Sequence, residues 1–99
     1  MLKRETGTPA AARFAAIEQG ITSLRACAHW LDANRIRVLD VHFRRADYRP
    51  EITVEASPRL RILLGDDCAN HRRGCDCRGT FYGWIAVRYG CLLRWEEFV

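Results

Sequence analysis

The stretch from residue 80 to residue 97, TFYGWIAVRYGCLLRWEE, decides the fold of this 99-residue chain. Two runs rich in β-branched and aromatic residues flank Tyr89 and Gly90. The glycine can adopt the positive φ that a two-residue hairpin turn requires. The pattern therefore predicts a β-hairpin in which Arg88 and Cys91 close the turn.

The register of this hairpin determines which of its residues share a face, because side chains alternate along a strand. Trp84 should lie opposite Trp95, and Ala86 opposite Leu93, which makes one continuous apolar face. We expect this face to form the core. A helix from the N-terminal third of the chain, through Leu24, Ala28 and Leu31, is predicted to cover it.

The other face of the hairpin is also largely apolar. It carries Ile85, Val87 and Leu92, with Arg94 on the same face and Arg88 at its rim. One helix can cover only one face of a sheet, so this second face is either buried under the preceding segment or left exposed as a binding surface.

Length and composition predict one globular domain over residues 1–99. A chain of this size with 48% hydrophobic residues can bury a core of its own. No apolar run is near the roughly 20 residues that a membrane span needs, and the stretch MLKRETGTPAAARFAA is not apolar enough for a signal peptide. We expect a cytoplasmic protein with residues 1–8 frayed and residues 58–79 forming a variable insertion or loop.

The charge balance is weakly basic. The net charge is +4, and Lys3 is the only lysine among 16 basic residues. Such an arginine bias is as typical of a GC-rich genome as of selection for phosphate contacts. A charge of this size assists solubility and steering and does not by itself indicate a nucleic-acid partner.

An amphipathic helix is predicted in the N-terminal third. Thr8 and Pro9 supply an N-cap and a first-turn proline, and Asn34 is a candidate left-handed C-cap. Gly20 costs about 1 kcal/mol relative to alanine within a helix, which leaves open one bent helix or two helices. The apolar stripe recurs every three or four residues and consists of Phe14, Ile17, Ile21, Leu24, Ala28 and Leu31, with Cys27 and Trp30 on its shoulders.

A second hairpin is predicted in the middle of the chain. Residues 36–44, IRVLDVHFR, and 51–56, EITVEA, both alternate apolar and polar side chains, and a polar link at 45–50 joins them. Ser57 and Pro58 then form a cap-plus-proline signal, which favours a short helix over an extended piece in RLRILLG.

The polar segment 66–79, DDCANHRRGCDCRG, is predicted to be an exposed loop. It contains four candidate zinc ligands, Cys68, His71, Cys75 and Cys77. Cys-x2-His is an acceptable half-site, but Cys-x-Cys is tighter than the usual second half, and no strand supplies a ligand. We predict no structural zinc, no other cofactor, and five reduced cysteines.

No catalytic constellation is recognisable, so we predict that the chain is not an enzyme. Asp40 and His42 lie two residues apart on one strand face and could form an acid–base pair, but no motif places a serine or cysteine nucleophile beside them. The sequence contains neither a phosphate-binding glycine loop nor a nucleotide-binding fingerprint.

Arginines gather at two places in the predicted loops. An arginine next to an exposed aromatic ring is what single-stranded nucleic acid would contact through its phosphates and bases. The interspersed aspartates favour instead solvated loops or the rim of a protein interface. The two groups are Arg44, Arg45 and Arg49 around Tyr48, and Arg72 and Arg73 with Arg78.

The stretches ITSLRACAHWLDANRIRVLDV, PEITVEASPRL and WIAVRYGCLLRWEE resemble short uncharacterised α+β proteins encoded by phages and prophages of proteobacteria. In those proteins an amphipathic helix leads into I-x-V-L-x-V, a strand led by proline follows, and the last hairpin has the form W-x-A-x-x-x-G-C-x-x-x-W. The resemblance covers about three quarters of the chain and carries no catalytic motif.

The resemblance implies an accessory protein of a mobile element. Small phage proteins of this kind, anti-CRISPR proteins among them, act by binding and blocking a host machine. This chain is basic, unlike the acidic inhibitors that mimic DNA, so the resemblance favours occupation of an acidic or apolar site on an effector protein.

These observations predict an α+β fold with one amphipathic helix packed on a four-stranded, mainly antiparallel sheet made of two β-hairpins. The predicted function is binding to a host or phage protein complex, as a monomer or homodimer and without a membrane partner. The alternatives are a small basic nucleic-acid-binding module, with or without zinc, and a structural component of a phage assembly. The predicted partner-binding residues are Ile85, Val87, Leu92, Arg88, Arg94, Arg44, Arg45, Tyr48, Arg49, Arg72 and Arg73.

Overall fold

The computed structural model describes residues 9–98. The predicted fraying of residues 1–8 and the predicted cap at Thr8 lie outside this range. In chain order the elements are α1 (Pro9–Ala33), β1 (Val38–Phe43), β2 (Pro50–Val54), α2 (Pro58–Leu64) with a 3-10 turn (Gly65–Asp67), β3 (Ala69–Asp76), β4 (Gly79–Arg88) and β5 (Cys91–Phe98).

The predicted α+β class is confirmed, but the predicted sheet is wrong in its strand number. The strands form one five-stranded sheet in the order β1-β2-β5-β4-β3. Three of the four neighbouring pairs, β1–β2, β5–β4 and β4–β3, are antiparallel, and β2 runs parallel to β5, with Ile52 opposite Leu93. The sheet is therefore mixed, because the chain crosses over through α2, β3 and β4 before β5 inserts beside β2.

The fifth strand, β3, comes from the segment that the sequence predicts to be a loop. It pairs antiparallel with β4, and Gly74 lies opposite Phe81. A Cβ atom at Gly74 would lie 2.7 Å from the Phe81 ring, so the ring fills the space above the glycine. The pairing with β4 and the contact with Phe81 thus stabilise β3, although its own sequence lacks apolar alternation. This is why the sequence pattern alone did not predict the strand.

The predicted hairpin around Tyr89 and Gly90 is confirmed in its register. Arg88 lies opposite Cys91 and closes the turn. Both turn residues have positive φ, 53° at Tyr89 and 80° at Gly90, as a type I′ turn requires. The cross-strand pairs therefore fall where the sequence placed them, with Trp84 opposite Trp95.

Helix α1 is one continuous helix, and its C-terminal cap differs from the prediction. The residue with positive φ is Arg35 (58°), and Asn34 instead donates its side-chain amide to the carbonyl of Trp30 at 2.9 Å. Two backbone bonds close the end, from Arg35 to Asp32 and from Ile36 to Leu31. This is a Schellman motif, in which the left-handed residue follows the cap residue.

The predicted core stripe of α1 is wrong in its rotation. Phe14 and Ile21 are 68% and 47% exposed and Ala28 is exposed, whereas Cys27 and Leu31 are fully buried. Leu24 is half-buried and packs against the core as predicted.

The cause of this rotation is Gly20, which is buried on the inner side of α1. A Cβ atom at Gly20 would lie 2.5 Å from the backbone oxygen of Tyr48 and 3.3 Å from the Phe43 ring. Only a glycine lets the helix approach the turn between β1 and β2 this closely. Gly20 therefore determines which side of α1 faces the sheet.

The predicted middle hairpin and the predicted short helix are confirmed. β1 and β2 pair antiparallel, with a bulge at Leu39 between two pairs in register. Ile52 and Val54 are buried on the face that the alternation predicts they share, while β1 is exposed along its length because it is an edge strand. The Ser57 hydroxyl caps α2 by accepting a hydrogen bond from the backbone N–H of Arg59 at 3.2 Å.

The hydrophobic core lies between the two helices and one face of the sheet, which we call the helix face. Trp84, Ala86, Leu93 and Trp95 define this face on the last hairpin. The buried residues of the core are Cys27, Leu31, Ile36, Ile52, Val54, Leu60, Leu64, Ala86, Cys91, Leu93 and Trp95. Within residues 9–98, no helix combines the length and the apolar character needed to cross a membrane.

Candidate binding surface on the open face of the sheet

The second face of the last hairpin, with Ile85, Val87, Leu92 and Arg94, belongs to what we call the open face of the sheet. Both α1 and α2 place their buried residues in the core on the opposite side. Val87 is 47% exposed, and Ile85 and Leu92 are half-buried. Of the two predicted alternatives for this face, burial under residues 58–79 is therefore wrong, because α2 packs on the helix face.

Arg88 does not lie at the rim of this face, in contrast to the prediction. Strand alternation turns it to the helix face, where its guanidinium lies 4.9 Å from the centre of the Trp30 ring. It also donates to the carbonyl of Leu63 at 3.3 Å and lies 3.8 Å from the carboxylate of Asp67. Arg88 therefore joins α1 to the α2 segment, and the sequence signal for this was its position two residues after Ala86.

Glu51 organises the middle of the open face. Its Oε1 lies 2.8 Å from His42 Nε2 and 3.6 Å from Arg94 Nη1, and its side chain is only 12% exposed. The register explains the first contact, because His42 lies directly opposite Glu51 in the β1–β2 pair. The histidine thus pairs across strands, and not along its own strand with Asp40.

A second charged network crosses the other end of the open face. Arg72 on β3 and Glu96 on β5 both lie opposite Gly83 of β4, one on each side. Their side chains meet at 2.5 Å, so the ion pair passes over the glycine between them. Arg78 extends the network, since its Nη2 lies 3.0 Å from Asp76 and 3.8 Å from Glu96.

Two phenylalanine rings lie beside this network. The ring centres of Phe81 and Phe98 are 5.7 Å apart. Arg72 lies 4.9 Å from the Phe81 ring centre and Arg78 lies 4.5 Å from that of Phe98. Each guanidinium therefore combines a carboxylate partner with an aromatic face, which fixes its position on the sheet.

A groove of about 590 Å³ runs along this face. Its charged lining has both signs, so it lacks the uniform positive potential that a phosphate backbone requires. The groove is lined by Leu39, Asp40, His42, Thr53, Val54, Glu55, Ala56, Arg72, Arg78, Gly83, Arg94, Trp95, Glu96 and Phe98.

The structure separates Arg72 from Arg73. Arg72 belongs to the open face, whereas Arg73 lies 5.7 Å from the Tyr82 ring centre on the helix side of the sheet. Adjacent strand residues point to opposite faces, so the two arginines cannot act on one ligand surface. The predicted cluster of Arg72 and Arg73 therefore does not form a single surface.

The predicted loop cluster of Arg44, Arg45, Tyr48 and Arg49 lies beside α1 and apart from the open face. Arg44 binds the Asp47 carboxylate with both Nε and Nη2, at 2.9 and 2.5 Å. The backbone N–H of Arg49 donates to the same carboxylate, and these bonds lower the pKa of Asp47 to about 2, the Arg44 bond most. Arg45 is exposed, and Tyr48 is half-buried with φ of 57°.

The three candidate zinc ligands whose side chains the structure describes, Cys68, Cys75 and Cys77, do not converge. Cys68 precedes β3 and Cys75 lies near its far end, opposite Thr80. At about 3.4 Å per residue, such a strand separates its ends by roughly 20 Å, whereas zinc–sulfur bonds are about 2.3 Å long. Cys77 is exposed in the turn that follows, and the His71 side chain lies outside the described part of the structure. Among the described residues, no group of three or more His, Cys, Asp or Glu side chains could hold a metal ion.

Sequence reasoning missed four members of this surface, Glu51, Glu96, Phe81 and Phe98. A signal for two of them was present, because Glu96 and Phe98 continue the alternation that starts at Leu92. The signal for Phe81 depended on its partner strand β3. Comparison of this chain with protein families, with characterised proteins and with solved structures gives no match.

Proposed function

We propose that this chain is a protein-binding module that acts by docking the open face of its sheet on a partner protein. The observation that carries the proposal is the exposed apolar surface on a sheet face that neither helix covers. Val87 and Phe98 are 47% and 42% exposed there. They lie at the two ends of the β4–β5 ladder, with the charged pairs of Arg94 and Glu96 between them. Exposed apolar side chains interspersed with ordered charged groups are common in protein interfaces.

The charge pattern favours a protein partner over a nucleic acid. Of the predicted binding arginines, Arg72 and Arg94 are already paired with Glu96 and Glu51. A phosphate backbone would have to compete with these carboxylates, whereas a protein surface with charges of both signs can add to the existing pairs. Electrostatic complementarity would then select the partner more than it would add affinity.

The resemblance to phage and prophage proteins extends this proposal to a biological role. The chain would be an accessory protein of a mobile element that binds a host protein complex and inhibits it, as anti-CRISPR proteins do. The apolar and charged side chains of the open face could bind a partner surface and block it sterically. This role requires neither a cofactor nor a chemical reaction.

The test is capture of a defined host complex by two charge-matched variants. Val87→Asp places a carboxylate in the apolar part of the open face, and Ile62→Asp places one on α2, where the side chain is 80% exposed. We expect Val87→Asp to abolish capture and Ile62→Asp to retain it, with both variants melting close to the parent because both sites are exposed. Equal capture by both variants would place the interface elsewhere.

Binding to DNA or RNA is the competing outcome. A gel shift that weakens steeply with salt would indicate phosphate contacts. If Arg45→Ala and Arg49→Ala reduced such a shift while Val87→Asp did not, the loop beside α1 would be the binding surface and the proposed function would be wrong.

A further inference from the structure

Strand β1 forms an exposed edge of the sheet with an apolar character that edges usually lack. It is first in the strand order β1-β2-β5-β4-β3. Its exposed apolar residues are Val38, Leu39, Val41 and Phe43, with exposed fractions of 40%, 55%, 39% and 38%. Soluble proteins normally protect an edge with lysine, proline or a covering element, because an unprotected edge pairs with another strand.

The backbone groups available for such pairing can be identified from the register. Arg44 N–H donates to the carbonyl of Arg49, and Phe43 lies opposite Pro50, which has no N–H. Hydrogen-bonded and non-bonded pairs alternate in an antiparallel ladder. The backbone groups of Val41 and Phe43 therefore point away from β2, toward the free edge.

Helix α1 adds apolar surface on the same side. Gly20 approaches the Phe43 ring, and Phe14 and Ile21 lie about 100 to 120° around the helix from Gly20 in one direction. Trp30 lies on the opposite side of Gly20 around the helix, under Arg88 of β4. The exposed flank of α1 is thus turned toward the β1 edge.

We infer that this edge pairs with β1 of a second copy of the chain. Antiparallel pairing about a two-fold axis between the two Val41 residues places this valine opposite its own copy, with both side chains on the helix face. It also places the Asp40 carboxylate opposite the second copy's His42, and the same contact repeats on the other side of the axis. The centre of the strand is therefore compatible with its own copy in backbone hydrogen bonding, as an isologous interface must be. The second copy's Asp40 would join the existing pair of His42 and Glu51.

The second edge of the sheet, β3, is less suited to this role. Self-pairing of this strand about Arg72 or Arg73 would bring like charges together. Its described residues also include no large exposed apolar side chain. At β1, by contrast, the facing ionisable groups are an acid and an imidazole. The β1 edge is thus the one that fits a second copy.

The resulting dimer contains a continuous ten-stranded sheet. Its two-fold axis is perpendicular to the sheet, so both α1 helices lie on one side with their apolar flanks turned toward the axis. Both open faces lie on the other side and stay accessible. Dimerisation therefore does not rest on the proposed function, although it would present two binding surfaces to a partner.

Sedimentation equilibrium of the purified chain tests this inference. We expect a reversible monomer–dimer equilibrium that Val41→Pro shifts toward monomer, because proline removes the outward N–H without breaking the β1–β2 ladder. Loss of the two central hydrogen bonds should raise the dimer dissociation constant roughly tenfold or more. Val41→Lys, which keeps the N–H and places a charge at the axis, should have the same effect if the proline variant does not fold.

Val87→Lys is the matched control, since it adds the same charge on the open face, and its dissociation constant should equal that of the parent. A parent chain that stays monomeric at high micromolar concentration would overturn the inference. So would a dimer that neither Val41 variant weakens, or one that Val87→Lys dissociates. The chain could instead stay monomeric and capture another protein. If Val41→Pro abolished that capture, the β1 edge would be the binding site for a strand of the other protein.

Discussion

Trp84 and Trp95 lie directly opposite each other on β4 and β5, yet their indole N–H groups differ in their hydrogen bonding. Trp95 is 2% exposed and donates to Glu97 Oε2 at 3.2 Å. The N–H of Trp84 is buried and has no hydrogen-bond partner among the described residues. Its ring instead lies under the guanidinium of Arg61, 4.8 Å from the ring centre.

Replacement of Trp95 by alanine should unfold the protein or destabilise it by about 3–5 kcal/mol, because a large ring is lost from the centre of the core. Chemical denaturation followed by circular dichroism measures this. A midpoint equal to that of the parent would mean that Trp95 is not a core residue.

Replacement of Trp84 by phenylalanine should change the free energy of unfolding by less than about 1 kcal/mol. The change removes a buried donor without a partner, which offsets the loss of ring contacts. Trp95→Phe is the matched control and should cost more, since it also breaks the bond to Glu97. If the two variants were equally destabilised, the Trp84 N–H would have a partner in solution.

Replacement of Gly20 by alanine should destabilise the protein by about 1–3 kcal/mol, although alanine is the better helix former by about 1 kcal/mol. The added Cβ atom would lie 2.5 Å from the backbone oxygen of Tyr48, so α1 or the turn must move. Thr22→Ala, at an exposed position on the same helix, is the control and should be neutral. A stabilised Gly20→Ala variant would contradict the close approach.

The carboxyl of Asp47 should titrate near pH 2 by NMR, below its ordinary value of 3.8, because Arg44 and the backbone of Arg49 bind its charged form. A depressed pKa means that this contribution to stability is complete above about pH 4 and is lost as the pH falls through about 2. In Arg44→Gln the midpoint should rise toward the ordinary value. An unchanged midpoint in that variant would mean that the backbone bond alone holds the carboxylate.

The five cysteines should react with a thiol reagent in three classes. Cys75 and Cys77 are exposed and should react at once, while burial raises the pKa of Cys68 and leaves less of the reactive thiolate at a given pH. Cys27 and Cys91 are fully buried, and the hydrogen bond of Cys27 to Cys91, together with burial, raises the pKa of Cys27. This pair should react only after denaturation. Rapid reaction of all five thiols in the folded protein would contradict the placement of α1 on β5.

The parts of the fold that the sequence predicted correctly have local causes. The turn at Tyr89 and Gly90 requires positive φ, and the register of β4 and β5 follows from it. Ser57 and Pro58 likewise mark the start of α2 within a few residues. These signals need no knowledge of distant neighbours.

The errors have tertiary causes. Strand β3 depends on the Phe81 ring above Gly74, and the rotation of α1 depends on the contact between Gly20 and Tyr48. For the candidate site, strand alternation correctly placed Val87 on the face opposite the core. The ion pair over Gly83 could not be predicted, because it depends on the register of three strands, one of which the sequence did not reveal. Whether these residues bind a partner stays a prediction.

The position of β5 affects how the chain can fold during its synthesis. Of the five described strands this one comes last in chain order, yet it is bonded on one side to β2 and on the other to β4. Until β5 leaves the ribosome, the β1–β2 and β3–β4 pairs are two separate ribbons, and the edges of β2 and β4 are open. Unpaired strand edges and uncovered apolar surface are what make nascent chains aggregate. Closure of the sheet therefore waits for β5, and conditions that slow synthesis between β2 and β5 lengthen the time for which the ribbons need protection by chaperones.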